Sequence, residues 1–196
     1  MQIRTLRPVG LALLAFALAA CSDAATAPRH AAPLAPRISP TAASAMTGVA
    51  TDTSVARVTV GQYSSVTMTV NSHKIVIPAG AVCDPATSGY GPAYWNSPCA
   101  LAKSVTITAK SWRLPDGRPH VEFSPDLRFA PGKTVTIYLM DRAMAADPTS
   151  VILYCDAFTC VDESIDDASL VTKRDPNGGY VYRRIKHFSG YNIAAD

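Results

Sequence analysis

Three segments of the chain alternate apolar and polar side chains with a period of two, over residues 64–70, 104–109 and 134–139. In the last of these, Val135, Ile137 and Leu139 would lie on one face of a strand, with threonine and tyrosine on the other. This alternation with β-branched residues is typical of strands that are buried on one face only. Less regular strand candidates cover residues 73–78, 120–123, 150–155 and 179–188.

Turn-forming sequences separate these segments, at Pro115-Asp116-Gly117, Pro125-Asp126, Asp147-Pro148 and Pro176-Asn177-Gly178-Gly179. Pro78 is expected to end the strand before it, and Gly80 to adopt a positive φ in the turn that follows. No segment has a convincing helical period with caps, although residues 141–147 can form a single turn. Several short, one-sided strands predict an all-β fold, an antiparallel β-sandwich over residues 51–196.

The chain begins with a positively charged segment followed by an apolar one. Arg4 and Arg7 precede an uncharged, mostly apolar run from Pro8 to Ala20, which is too short to span a bilayer of roughly 30 Å. We therefore expect a signal peptide over residues 1–20. Its last residues and Cys21 form the sequence Leu-Ala-Ala-Cys, which resembles the lipobox of bacterial lipoproteins. The resemblance implies that Cys21 is acylated; an ordinary secretory signal with an incidental cysteine is the alternative.

Residues 21–50 are predicted to be a linker between the acylated cysteine and the folded domain. Residues 22–50 contain ten alanines, four prolines and no aromatic residue, so they cannot bury enough apolar surface to fold. The lipid would place the domain at the membrane of the bacterial cell envelope. The residue after the cysteine is Ser22 rather than an aspartate, which resembles the outer-membrane sorting signal of lipoproteins in enteric bacteria. We therefore expect the outer membrane, on either its periplasmic or its surface face.

Net charge excludes one class of partner. The formal charge of +3 at pH 7 falls to +1 once Arg4 and Arg7 leave with the signal peptide. Nothing remains of the clustered cations that nucleic-acid binding requires. The expected partners are the membrane, through the lipid, and an envelope protein or glycan that the sequence does not name.

Four cysteines remain besides Cys21, and in an exported protein they are expected to form two disulfides, with three possible pairings. We favour Cys83–Cys99 and Cys155–Cys160. The second pair flanks only four residues, so a hairpin can bring its Cα atoms within disulfide range. Zinc is the rival interpretation, but neither pair has CxxC spacing and export disfavours free thiolates.

Three segments in order resemble the ZU-five domain, a β-sandwich of scaffold proteins and netrin receptors. They are Ile75–Ala81 (IVIPAGA), Phe123–Phe129 (FSPDLRF) with the strand after it, and His187–Ser189 (HFS). The resemblance covers roughly residues 62–194. The loop between Cys83 and Cys99 looks like an insertion on the family pattern.

The HFS segment carries the one candidate for catalysis. In some members of that family His-Phe-Ser is a self-cleavage site, which implies here Ser189 as nucleophile, His187 as general base and Phe188-Ser189 as the cut bond. The alternative is that Phe188 packs into the core while His187 and Ser189 satisfy local hydrogen bonds. We favour this alternative, because cleavage would release only the last eight residues.

Other enzymatic and metal chemistry finds little support. No HExxH, GxSxG, P-loop or dinucleotide-binding pattern is present, the four histidines are scattered, and no cofactor is implied. The acidic segment 162–167 (DESIDD) lacks the alternating acids and glycine of a calcium loop. We therefore interpret it as a solvated turn, with no metal site expected.

The loop sequence GYGPAYWN brings Tyr90, Tyr94 and Trp95 into a segment that a disulfide would stiffen. Such a loop can offer a contact surface for a glycan or a protein. Alternatively, Trp95 and one tyrosine fold back over the edge of the sandwich.

The sequence thus predicts a membrane-anchored lipoprotein with a β-sandwich binding or structural module rather than a turnover enzyme. Self-cleavage at Phe188-Ser189 and glycan binding by the aromatic loop are the alternatives.

Overall fold

A computed structural model of the protein describes residues 51–156 and 159–195. The predicted signal peptide, Cys21 and the linker lie outside these residues. The strands are β1 Thr51–Gly61, β2 Val66–Val70, β3 His73–Ile77, β4 Ser104–Arg113, β5 Pro119–Arg128, β6 Val135–Met140, β7 Val151–Cys155, β8 Cys160–Val161, β9 Lys173–Asp175, β10 Tyr180–Ile185 and β11 His187–Ala194. One short helix, α1, covers Arg142–Ala146. No helix among the described residues is long and apolar enough to cross a membrane.

The strands form two antiparallel sheets, which confirms the predicted all-β sandwich. The first sheet has the order β1-β4-β5-β11-β7-β8, and the second has the order β2-β3-β6-β10-β9. The segments with alternating side chains form strands that are buried on one face, as expected, because a strand in a two-layer fold has one face against the other sheet. Val135, Ile137 and Leu139 on β6 are completely buried.

The core between the sheets is apolar and aromatic. Phe188 lies in its middle, with its ring centroid 4.3 Å from that of Phe123 and 4.8 Å from that of Phe129. Each fully buried side chain of this size stabilises the fold by about 1.5–3 kcal/mol. Phe123, Phe129 and Phe188 therefore occupy the core positions expected from the sequence.

The turn predicted at Pro125-Asp126 is wrong, because β5 runs on to Arg128. Pairing with β4 ends at Ser124, and pairing with β11 jumps from Glu122 to Leu127. Proline cannot donate to a ladder, so the strand bulges at this point instead of turning. On the facing strand the bulge lies opposite the single residue between Phe188 and Gly190.

Two further differences concern strand boundaries. The candidate strand 179–188 is divided at Lys186 into β10 and β11, which belong to different sheets. Strand β1 was not among the predicted segments, although it pairs with β4 along nearly its whole length. As expected, β3 ends before Pro78, and Gly80 has a φ of 64°.

Candidate functional site

His187 is the first residue of β11, directly after the chain changes sheets, and it is completely buried. Its Nε2 lies 2.8 Å from Oε1 of Glu163, and its Nδ1 lies 3.2 Å from the hydroxyl of Tyr90. Each ring nitrogen of His187 therefore has a polar partner within hydrogen-bonding distance. The imidazole also stacks on Trp95, with ring centroids 4.1 Å apart and planes 11° apart.

Glu163 is held by a buried cation on the facing sheet. Arg183 lies on the inward face of β10, donates to Oε2 of Glu163, and donates to the carbonyl of Ile152 at 2.8 Å. A second carboxylate, that of Asp162, lies 3.5 Å from the guanidinium. A buried guanidinium needs such a partner, since an unpaired charge in the interior is strongly unfavourable.

The acidic segment is therefore not the solvated turn predicted from the sequence. Glu163 is only 8% exposed, whereas Asp166 lies at the surface. The correction has a simple cause: Arg183 and His187 together draw this one carboxylate inward. The neighbouring Asp167 stays at the rim, where hydrogen bonds from Lys186 and Ser169 lower its pKa to about 2.

The loop between Cys83 and Cys99 lies against this cluster. Both favoured disulfides are present, Cys83–Cys99 with a Cα–Cα distance of 5.6 Å and Cys155–Cys160 with one of 4.1 Å. The buried Arg128 of β5 then fixes the loop backbone, donating to three carbonyls. These are the carbonyls of Tyr94, Ser97 and Pro98, at 2.9, 2.7 and 3.2 Å.

The three loop aromatics do not share one surface. Tyr90 turns its hydroxyl toward His187, and Trp95 stacks on the same imidazole and meets Tyr154 edge-on at 6.4 Å. Tyr94 is 48% exposed and lies beside Gly89, where a Cβ would come within 2.6 Å of its ring. Tyr90 and Trp95 thus join the polar cluster, while Tyr94 faces outward.

The Phe188-Ser189 peptide bond lies under these tyrosines. The Tyr90 hydroxyl is 2.8 Å from the carbonyl oxygen of Phe188 and donates to it. Burial raises the pKa of Tyr90 and of Tyr154, and a hydrogen bond to the Ser189 side chain acts against that increase in both. Tyr191 donates to the carbonyl of His187 at 2.8 Å. His187 and Ser189 are therefore connected through Tyr90.

A groove opens between the disulfide-held loop and the acidic segment. Its volume is about 410 Å³, and its lining includes Trp95, Asn96, Tyr154 and Asp166. Lys186 crosses it, with Nζ 2.7 Å from Oδ1 of Asn96 and 2.5 Å from Oδ2 of Asp167. A second hollow of about 300 Å³ continues on the other side and shares Trp95, Asn96, Asp167, Leu170 and Lys186 with the first.

Metal ligands are not assembled here. Among residues 51–156 and 159–195 no group of three or more histidine, cysteine, aspartate or glutamate side chains could hold a metal ion. The carboxylate of Glu163 and the imidazole of His187 do meet, but they are bonded to each other, and the carboxylate is also paired with Arg183.

Comparisons with known proteins found no relative of this chain. No family model matches the chain, and neither the curated proteins nor the solved structures gave a match.

The sequence pattern did not predict a role in the site for several residues, most importantly Arg183, Glu163 and Arg128. One signal was present for Arg183, because it occupies the inward phase of β10 between Val181 and Ile185. An arginine in an apolar phase requires a carboxylate partner. The sequence could not say which of the acids supplies it.

Proposed function

We propose that the chain is an exported, lipid-anchored binding module of the bacterial cell envelope, and that its ligand occupies the groove beside the 83–99 loop. The anchor and location rest on the lipobox-like sequence ending at Cys21 and on the linker after it. The ZU-five-like segments support a module of this kind, although a shared fold alone carries no function.

The observation that carries the binding proposal is the mixed lining of the groove. An indole, a phenol and an aliphatic side chain lie beside an amide, carboxylates and an ammonium group, those of Trp95, Tyr154, Leu170, Asn96, Asp166, Asp167 and Lys186. Ligand sites combine apolar and aromatic surface with a few polar groups in this way. Aromatic faces with hydrogen-bonding neighbours suit a hydroxyl-rich ligand, so we propose a neutral envelope glycan.

The groove is built to keep its shape. Arg128 and the Cys83–Cys99 disulfide fix one wall, and the ion pair of Arg183 with Glu163 fixes the other. A preorganised site loses less conformational freedom when the ligand binds. Lys186 is the exception, since its side chain spans the groove and has partners on both walls. We expect this side chain to be rearranged by the ligand.

Glycan binding by a secreted Cys21→Ser form tests the proposal. We expect binding of neutral envelope oligosaccharides that falls about tenfold or more in Trp95→Ala, the order expected for loss of an aromatic contact. Tyr94→Ala is the matched control, because Tyr94 lies in the same loop but does not line the groove. A glycan array that stays silent with folded protein, or equal losses in both variants, would count against the groove.

Self-cleavage between Phe188 and Ser189 is the second candidate, and one observation favours it. The Tyr90 hydroxyl donates to the Phe188 carbonyl, where negative charge would develop if Ser189 Oγ attacked the carbonyl carbon. The attack would form an ester with the Ser189 oxygen and free the Ser189 nitrogen, which takes a proton. Water would then hydrolyse the ester and leave a Phe188 carboxylate.

The position of His187, the general base that cleavage would need, favours the binding module over self-cleavage. Both ring nitrogens of His187 have other partners, Glu163 and Tyr90, so the imidazole would reach the serine only through the tyrosine hydroxyl. Intact-mass measurement decides between the candidates. Loss of residues 189–196 in the wild type, with a full-length Ser189→Ala variant, would establish cleavage.

A further inference from the structure

A second candidate surface lies on the outward face of the other sheet. Lys74, Tyr138, Tyr182 and Lys173 stand directly opposite one another on β3, β6, β10 and β9. Adjacent strands are about 4.8 Å apart, so the row is about 14 Å long. We call these four residues the tyrosine row.

The two tyrosines and one of the lysines are in contact. The rings of Tyr138 and Tyr182 stack with centroids 5.1 Å apart and planes 15° apart. Nζ of Lys74 lies 4.5 Å from the centroid of Tyr138 and 5.6 Å from that of Tyr180. The stacked rings and the cation–π contact hold these side chains in fixed positions on the sheet.

Three residues of the tyrosine row, Lys74, Tyr138 and Tyr182, line a hollow of about 450 Å³ in which two cations face one carboxylate, and Lys173 lies at the end of the row outside this lining. Arg174 and Asp175 also line it, but Arg174 donates to the carbonyl of Ser150 at 2.8 Å and Asp175 accepts from the amide of Gly178 at 2.9 Å. Neither Lys74 nor Lys173 forms an ion pair with a described carboxylate. Two cations are therefore available to an anionic ligand.

We propose that the tyrosine row binds an acidic polysaccharide. Carboxylate groups along such a chain would pair with Lys74 and Lys173, and its sugar rings would contact the tyrosines between them. Lys173 is exposed, while Lys74 and both tyrosines are half-buried, so the row offers charge at its ends and aromatic surface in its middle. An anionic membrane is the competing partner, and the experiment below distinguishes the two.

The proposal goes beyond the groove described above. None of the residues lining this hollow lines either hollow beside the 83–99 loop. Ligands for the two surfaces would differ in charge, neutral for the groove and acidic for the tyrosine row. Either site can fail in an experiment without the other.

The test uses the Cys21→Ser mature chain and alginate oligosaccharides as the probe, with dextran of equal length as the neutral comparison. We expect alginate binding that weakens as salt is added and falls about tenfold in the double variant Lys74→Met/Lys173→Gln. Methionine keeps the apolar stem beside Tyr138 and loses only the cation–π contact, so the unfolding midpoint should change only slightly. Trp95→Ala should leave alginate binding intact.

Matched controls come from exposed residues elsewhere. Lys103→Gln removes one exposed charge away from the row, half of what the double variant removes, and Tyr63→Ala removes a tyrosine that is 88% exposed. Equal losses in Lys103→Gln, equal binding of dextran, or an unchanged affinity in the double variant would each overturn the proposal. So would binding to anionic phospholipid vesicles that alginate fails to displace, since the partner would then be a membrane.

Discussion

The apolar centre of the second sheet and the polar cluster around Glu163 bury side chains equally well, but by different means. On β6, Val135, Ile137 and Leu139 are fully buried and need only neighbours of suitable volume. Arg183, next door on β10, is just as buried and needs specific acceptors at hydrogen-bonding distance. The first kind of burial tolerates change, whereas the second depends on every partner being present.

β10 itself contains both solutions. Val181 and Ile185 point into the apolar core, while Arg183 between them reaches Glu163 and the carbonyl of Ile152. The polar cluster also fixes the 83–99 loop, because Trp95 and Tyr90 contact the imidazole that Glu163 holds. A change at Glu163 should therefore be felt in the groove, and a change in β6 should not.

The strongest test of this contrast is Glu163→Gln against Ile137→Val. Removing one charge of the buried pair should lower the free energy of unfolding by about 3–5 kcal/mol, because Arg183 loses its hydrogen-bonded counterion and keeps only Asp162 at 3.5 Å. Loss of one methylene at Ile137 should lower it by about 0.5–1.5 kcal/mol. Urea unfolding measures both. Similar values for the two variants would contradict the contrast, and Glu163→Gln/Arg183→Met should recover part of the loss.

The two disulfides extend the comparison to the loop. Replacing Cys83 and Cys99 by serine should lower the free energy of unfolding by about 3 kcal/mol, because their separation of 16 residues closes a large loop. Replacing Cys155 and Cys160, five residues apart, should lower it by about 2 kcal/mol. Denaturant unfolding checks both figures. Only the first change should alter tryptophan fluorescence at Trp95, and a larger effect from the second would be inconsistent with this account.

Acid should weaken the apolar region through histidines that have no carboxylate bonded to them. Burial lowers the pKa of His73 to about 4, with the Arg113 charge adding to the decrease and Asp141 opposing it. Burial alone lowers the pKa of His120 to about 4. Nδ1 of His73 accepts from the amide of Met140 at 2.9 Å, a bond that requires an unprotonated nitrogen.

The pKa of both histidines is lower in the folded protein than the unfolded value of roughly 6.5, so protonation favours the unfolded chain. Stability is complete above that pH and falls as pH decreases toward 4, because the unfolded chain binds the proton first. Each histidine should contribute about 2 kcal/mol to the loss between pH 7 and pH 5. Urea unfolding at both pH values measures this, and His73→Gln should remove about half of the difference. A pH-independent wild type would be incompatible with the predicted protonation.

A small effect is expected for Tyr90→Phe. It removes the hydroxyl that reaches Phe188 and His187 but keeps the ring that packs edge-on to the imidazole at 5.9 Å. A single hydrogen bond contributes about 1 kcal/mol to stability, and the change should appear in the urea midpoint. Tyr94→Phe, which removes an outward hydroxyl, should have no measurable effect. Equal effects of the two would mean that the Tyr90 hydroxyl bonds are unimportant.

Period-two alternation was sufficient to predict the sheets, because it reports which face of a strand is buried. It identified β2, β4 and β6, and turn residues separated them correctly at most positions. It failed at Pro125-Asp126, where a proline inside a strand produced a bulge. It also missed β1, whose inward residues Ala56 and Val58 are small and only half-buried.

The candidate site was only partly readable from the sequence. His187 was singled out from its motif and the 83–99 loop from its cysteines, but nothing local connects either of them to Glu163. That contact joins residues 24 positions apart on different elements. Alternation describes neighbours along a strand, whereas a buried polar cluster is defined by partners across the fold. The tyrosine row escaped notice for the same reason, since its members are adjacent only across strands.

The intact mass of the native protein, extracted from membranes without reduction, tests the central claim most directly. A lipid-anchored module that stays whole should give the mass of residues 21–196 with acyl groups on Cys21 and four hydrogens fewer than the reduced chain, as two disulfides require. A mass that corresponds to a chain beginning at Met1, to a chain without lipid, or to a chain without residues 189–196 would contradict it.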